Sequence, residues 1–193
     1  MKKIYLLTIA LLGMASVSVA QSKARFGLKF GANFANQHAT YQNVSKDGST
    51  LTSFYLGGFV NSTIKRDFSF QPEFIISSQG AQEYINRTTV TYSTVNINIP
   101  LMFKLRAIDG LNFEAGPQLG FLLSANNRAN GHSVDVTDGY NAVDLGVNLG
   151  AEYIFSSGFL LGLRYSHGLT DIVKNDVGTT TNRVILFGIG YRF

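Results

Sequence analysis

The chain has no cysteine and no tryptophan, and only three of its 193 residues are proline. Without cysteine the fold can contain neither a disulfide framework nor a cysteine for lipid attachment. Only 15% of the residues are charged. Beyond residue 20 there are 14 Lys and Arg residues against 12 Asp and Glu residues, an excess of two positive charges. This excess is too small and too dispersed to indicate nucleic-acid binding.

The first 20 residues have the three-part pattern of a secretory signal peptide. The parts are Lys2 and Lys3, the apolar residues 4–14, and the small residues Ser18, Val19 and Ala20 before Gln21. The alternative is an N-terminal membrane anchor, but the apolar part is short for a membrane span and the small residues favour cleavage. We therefore predict a signal peptide at 1–20 and a single domain at 21–193. This domain has no run of 18 uncharged apolar residues, so no transmembrane helix is predicted.

The domain instead alternates large apolar residues with small or polar ones, the period-two pattern of β-strands. In the last segment the large apolar residues are Ile185, Phe187, Ile189, Tyr191 and Phe193. Eight such segments occur, at 25–35, 52–64, 67–78, 91–106, 111–124, 141–155, 158–170 and 183–193. The phase of the second segment is unclear, because Gly57 and Gly58 interrupt it.

Short and long connections alternate along the chain between these segments. The short connections lie around 65–67, 108–110 and 156–158, and the long polar ones at 36–50, 79–90, 125–140 and 171–182. All long connections therefore lie at one end of an up-and-down meander, as in outer-membrane barrels. We predict an all-β fold, an eight-stranded antiparallel up-and-down transmembrane β-barrel whose last strand pairs with its first, so that no backbone edge is left in lipid.

A soluble barrel such as a lipocalin has its apolar face inside, whereas a membrane barrel has it outside. Three features favour the membrane arrangement. The other face is rich in glycine, which suits a narrow eight-stranded lumen, and aromatic residues lie near the strand ends, where membrane interfaces are expected. The charges on the glycine-rich face are few and balanced: Lys29, Lys104, Arg164 and Arg192 against Glu73, Glu114, Asp144 and Glu152.

These eight charged residues have two interpretations. They could line an ion path, or they could pair with one another and fill the interior. Because an eight-stranded lumen is just wide enough to be filled by side chains, we favour the paired, plugged lumen.

Four stretches resemble the PorT-like outer-membrane β-barrels of Bacteroidota. They are FSFQPEFIISSQG at 68–80, VNINIPLMFKL at 95–105, FEAGPQLGFLLSA at 113–125 and GLRYSHGLTDI at 162–172. The resemblance implies an outer-membrane location and a barrel related in shape to OmpX- and OmpA-like proteins. It also implies that Tyr191 and Phe193 act as a C-terminal signal for the barrel-assembly machinery. It implies little about activity, although the family takes its name from a member tied to protein secretion.

We find no catalytic, cofactor or metal site in the sequence. His38, His132 and His167 are the only histidines, and Ser133, Asp135 and Asp138 lie near His132. A lipase-like site or a metal site at the rim is the alternative, but no G-x-S-x-G, P-loop or H-E-x-x-H motif occurs.

We therefore predict an outer-membrane protein, a monomer in contact with lipid, with a structural or surface-interaction role and no catalysis. The long loops, rich in Asn, Ser, Thr, Gly and Tyr, suit recognition of an extracellular or secretion-system protein. The alternatives are a small pore or transport protein, a component of a secretion apparatus, and a soluble periplasmic carrier.

Overall fold

A computed structural model describes residues 24–42, 44–85, 87–174 and 178–193. The predicted signal peptide at 1–20 lies outside these residues. The described residues form ten strands: β1 Ala24–Tyr41, β2 Val44–Asp47, β3 Ser49–Lys65, β4 Phe68–Ile85, β5 Thr88–Arg106, β6 Leu111–Ala129, β7 His132–Asp135, β8 Val143–Ile154, β9 Phe159–Gly168 and β10 Gly178–Arg192. A short 3-10 helix spans Thr137–Gly139. No helix in the described part of the chain is long and apolar enough to cross a membrane.

Eight of these strands form a closed antiparallel barrel in the order β1, β3, β4, β5, β6, β8, β9, β10. The barrel closes where β10 pairs with β1, from Gly27 opposite Arg192 to Tyr41 opposite Gly178. The last backbone N–H, that of Phe193, donates to the carbonyl oxygen of Phe26 at 2.8 Å. The predicted eight-stranded up-and-down barrel is confirmed. β2 and β7 are short additional strands that pair with the C-terminal parts of β1 and β6.

The three short connections are confirmed, but three of the four predicted long loops are largely strand. The stretch 79–90 belongs to β4 and β5, which continue to Ile85 and from Thr88. Likewise β1 extends to Tyr41 and β6 to Ala129. Apolar alternation marks the part of a strand that faces an apolar environment, whereas backbone pairing continues beyond it. The apolar alternation in the sequence therefore underestimated the lengths of the strands.

Most of the large apolar side chains point outward and form a belt around the barrel, in which Leu28, Phe54 and Leu149 are all more than half exposed. Aromatic rings lie at the end with the short turns, where the ring of Phe155 is 4.8 Å from that of Tyr153. In outer-membrane barrels the short turns face the periplasm. We call this end the short-turn end and the opposite end the outer end.

The structure determines the phase of β3, which the sequence left open. Tyr55 and Phe59 point into the lumen and are buried. A β-carbon at Gly188 would collide with the Tyr55 hydroxyl, and one at Gly27 would collide with the Phe59 ring. The glycines of β1 and β10 therefore leave the space in which two aromatic side chains of β3 lie against the inner wall.

Candidate functional site

Six charged side chains meet inside the lumen, each from a different strand. They are Lys29 on β1, Glu73 on β4, Lys104 on β5, Glu114 on β6, Glu152 on β8 and Arg164 on β9. All six are buried. Three are basic and three are acidic, so the cluster has no net formal charge. We call this set the ion-pair ring.

The ring is closed because every member contacts two members of opposite charge. Glu73 lies 2.8 Å from the Lys29 ammonium and 2.8 Å from the Arg164 guanidinium. Arg164 continues to Glu114 at 2.6 Å, and Glu114 lies 3.2 Å from the Lys104 ammonium. Lys104 then reaches a carboxylate oxygen of Glu152 at 2.5 Å. The other carboxylate oxygen of Glu152 lies 3.7 Å from Lys29, which completes the ring.

Neighbouring residues hold the ring in place. The Gln71 amide donates to Glu73 at 2.8 Å. The Lys29 ammonium lies 5.1 Å from the centre of the Phe59 ring, within the range of a cation–π interaction. Gly150 lies between Glu114 and Arg164 in the wall, and a β-carbon there would crowd the Glu114 carboxylate. The ring thus depends on an amide, an aromatic face and a glycine as well as on its own charges.

Apolar side chains pack inside the barrel on both sides of the ring. Towards the short-turn end the cluster is Phe59, Ile154 and Leu160, and towards the outer end it is Ala35, Tyr55, Ile75, Val184 and Leu186. The cavity beside the ring measures about 20 Å³, room for about one water molecule. The lumen is therefore filled beside the ring, and the ring charges are buried from solvent.

These internal apolar residues were not anticipated from the sequence, which predicted an interior of small and polar residues. The signal that could have found Tyr55 and Phe59 is the set of glycines at positions opposite them across the strand pairs. Tyr55 is in register with Gly31, which is in register with Gly188. A row of glycines beside an aromatic residue in a narrow lumen indicates that the aromatic side chain lies over the glycines.

The structure brings six of the eight predicted luminal charges together and leaves two apart. Asp144 lies towards the outer end, where its carboxylate accepts a hydrogen bond from the Thr170 hydroxyl at 2.7 Å. Arg192 lies at the short-turn end. Among the described residues neither makes an ion pair. The sequence could identify residues on the inner face, but not their height along the barrel.

The three histidines lie in separate surroundings. His38 makes a 2.6 Å hydrogen bond to Asp47, and this bond holds the pKa of the Asp47 carboxyl below its usual value. His132 is exposed on β7, and His167 lies 3.3 Å from the Tyr165 hydroxyl. Within the described ranges, no group of three or more His, Asp or Glu side chains is arranged to hold a metal ion.

A second feature is a cavity of about 380 Å³ at the outer end, which we call the outer cup. Tyr92 and Tyr140 line it, together with an ion pair in which the Lys46 ammonium lies 2.8 Å from the carboxylate of Glu83. The side-chain N–H₂ of Gln37 and the side-chain carbonyl of Asn127 also belong to this lining. Both atoms are buried without a hydrogen-bond partner. The cup therefore offers a donor, an acceptor and two aromatic rings to a molecule from outside.

Comparison with known proteins agrees with this architecture. A family described as outer membrane protein beta-barrel domain matches residues 19–174. Among solved structures, neisserial surface protein A is 16% identical, with a TM-score of 0.59 over 89% of this chain and 100% of its own. Ail of Yersinia pestis, solved in complex with the heparin analogue sucrose octasulfate, is 14% identical, with a TM-score of 0.50 over 89% of this chain and 99% of its own. No curated protein sequence matches the chain.

Proposed function

This chain belongs to the outer membrane protein beta-barrel domain family, and we propose that it is a non-conducting, non-catalytic barrel with a structural or surface-interaction role. Its location is the outer membrane, with the apolar belt in contact with lipid. The closed ion-pair ring is the observation that carries the proposal. Each ring charge already has two partners of opposite sign, so no charge is left to attract a passing ion.

Because the lumen is closed, we propose that the function lies at the surfaces of the barrel rather than along its axis. The outer cup is the part best suited to recognition, because its two tyrosines and its unpartnered amide groups can bind polar surfaces with little loss of conformational entropy. Its Lys46 and Glu83 neutralise each other. We therefore propose an uncharged polar surface of an extracellular or secretion-system protein as its partner, in contrast to the sulfated sugar bound to Ail.

The same proposal includes three more specific points: the subfamily, the C-terminal insertion signal and the oligomeric state. The ordered motifs at 68–80, 95–105, 113–125 and 162–172 support a PorT-like member of the family. Tyr191 and Phe193, exposed at the end of the closing strand, support recognition by the barrel-assembly machinery. Closure of the ring of strands within one chain supports a monomer.

Purified protein in a planar lipid bilayer is expected to produce no steady conductance steps. The physical reason is the filled section of the lumen at the ion-pair ring, where the remaining space is about 20 Å³. An open porin added to the same bilayer provides the positive control. Steady, reproducible steps from this protein alone would contradict the closed lumen and favour the alternative of a small pore or transport protein.

The folded chain is expected to migrate faster on a detergent gel when unboiled than when boiled, because the closed strand pairing resists detergent. A variant that ends at residue 182 is the matched control. It lacks most of β10, which closes the barrel against β1, and should show no shift. Identical migration of the full chain before and after boiling would contradict a stable closed barrel.

A further inference from the structure

The short-turn end of the barrel holds a cavity of about 510 Å³ inside the mouth of the lumen, which we call the basic mouth. Four arginines line it, one from each of four separate stretches of chain: Arg25, Arg66, Arg106 and Arg192. Among the described residues that line it, Asp67 is the only one with a side-chain carboxylate. Lys104 also reaches the cavity but is held by Glu114 and Glu152. The basic mouth therefore carries an excess of three unmatched positive charges.

Arg192 lies within electrostatic range of other charges at this end of the barrel. The positive charges of Arg25 and Arg106 both act on it, and the negative charge of Glu152 offsets them in part. Within the described residues none of the four arginines has a carboxylate within 4.0 Å. The whole domain beyond residue 20 has an excess of only two positive charges, so this one cavity concentrates more positive charge than the domain carries overall. Like charges at such density are unfavourable unless an anion accompanies them.

A buried polar atom also points to a missing partner. The Nε atom of Arg192 is shielded from solvent and has no hydrogen-bond acceptor. A buried guanidinium N–H that has lost water without gaining an acceptor is costly. Ser69, Asn112 and Thr63 add hydroxyl and amide groups to the same wall. The mouth thus combines charge, an unused donor and a volume in the range of small-molecule sites.

We propose that the basic mouth binds a phosphate-bearing anion from the periplasmic side. A carboxylate has one charge and two oxygens, too few for four guanidinium groups. A phosphate group has up to two charges and three free oxygens, and guanidinium groups bind it in a bidentate way. The volume exceeds that of one phosphate ion, which favours a diphosphate, a sugar phosphate or a lipid with a phosphomonoester headgroup such as phosphatidic acid. This site lies at the opposite end from the outer cup and does not depend on the function proposed above.

Isothermal titration of the full-length protein in nonionic detergent with pyrophosphate at low salt tests the proposal. We expect saturable binding by the unaltered protein, which the double variant Arg106→Gln/Arg192→Gln weakens by about ten-fold or more. Arg183→Gln is the matched control, because Arg183 lies near the outer end, 3.5 Å from Asp47. It should change the affinity by less than about two-fold. Acetate, which has one charge, should bind far more weakly than pyrophosphate.

Two results would overturn the proposal: no saturable binding up to about 1 mM pyrophosphate, or an equal loss of affinity in Arg183→Gln. If the double variant does not show the gel shift of a folded barrel, Arg25→Gln/Arg66→Gln replaces it, since both side chains are exposed at the rim. Unchanged affinity in that folded variant would equally contradict the site.

A second titration separates the two sources of phosphate. The protein is titrated with dihexanoyl phosphatidic acid, a phosphomonoester lipid, kept below its micelle concentration, and the affinity is compared with that for pyrophosphate. Tighter binding of the lipid assigns the mouth to a membrane headgroup, and tighter binding of pyrophosphate assigns it to a soluble phosphate. Binding of neither ligand rejects the proposal.

Discussion

Replacing Glu73 with alanine is expected to lower the free energy of unfolding by about 3–5 kcal/mol. Glu73 is fully buried and accepts hydrogen bonds from Lys29, Gln71 and Arg164. Its removal leaves the ring with three cations and two anions in a dry lumen. An uncompensated buried charge costs far more than the pair itself contributes. Urea unfolding of the refolded barrel, followed by the shift between folded and unfolded bands on a gel, measures the loss.

The double variant Lys29→Met/Glu73→Met tests whether charge balance is the cause. It removes one cation and one anion, so that Arg164, Glu114, Lys104 and Glu152 still form a balanced chain of ion pairs. We expect this variant to recover more than half of the stability that Glu73→Ala loses, because every remaining charge keeps a partner and the new side chains are apolar.

Glu83→Ala provides the matched control outside the ring. Its ion pair with Lys46 lies at the outer cup, where the Lys46 side chain is 71% exposed. Solvent-exposed pairs contribute about 0–1 kcal/mol, so this variant should unfold almost like the unaltered protein. If Glu73→Ala and Glu83→Ala had equal and small effects, the ion-pair ring would not be what stabilises the lumen.

Replacing Gly31 with alanine is expected to destabilise the barrel by about 3 kcal/mol or to prevent its closure. A β-carbon at Gly31 would collide with the carbonyl oxygen of Phe187 and the α-carbon of Gly188 on β10. These are backbone atoms of the strand that closes the barrel against β1. They can yield only if the strands themselves separate, because no flexible side chain is available to move. Urea unfolding and the unboiled gel shift report the effect.

Gly162→Ala is the matched control, since Gly162 lies in the same row of the inner wall. It pairs with Gly188, which in turn pairs with Gly31. A β-carbon at Gly162 meets no atom within 4 Å. Alanine restricts the unfolded chain more than glycine does, so we expect stability unchanged or raised by up to about 1 kcal/mol. Equal behaviour of the two alanine variants would mean that close strand approach does not constrain this row.

Much of the fold could be predicted from local sequence patterns. Period-two alternation is a property of a single strand, so the eight segments, the outward apolar face and the closing strand at 183–193 were all recognisable. The balanced set of inner-face charges was recognisable for the same reason. Of the arginines of the basic mouth, only Arg192 was identified as an inner-face residue. The other three were not, although Arg66 and Arg106 lie in or beside short turns, where such residues meet at one end of a barrel.

Only the tertiary structure determined which charges meet. Lys29 and Glu73 are 44 residues apart, and Arg164 and Glu73 are 91 apart, so their heights in the lumen depend on the stagger of strands around the whole barrel. That stagger depends on all eight strand pairings together, so it cannot be read from the sequence of any single strand. It brings six charges into one closed ring, and it places Asp144 and Arg192 at opposite ends. By itself the sequence determined which charged residues face inward, and the closed register of the barrel determined their partners and the phase of β3.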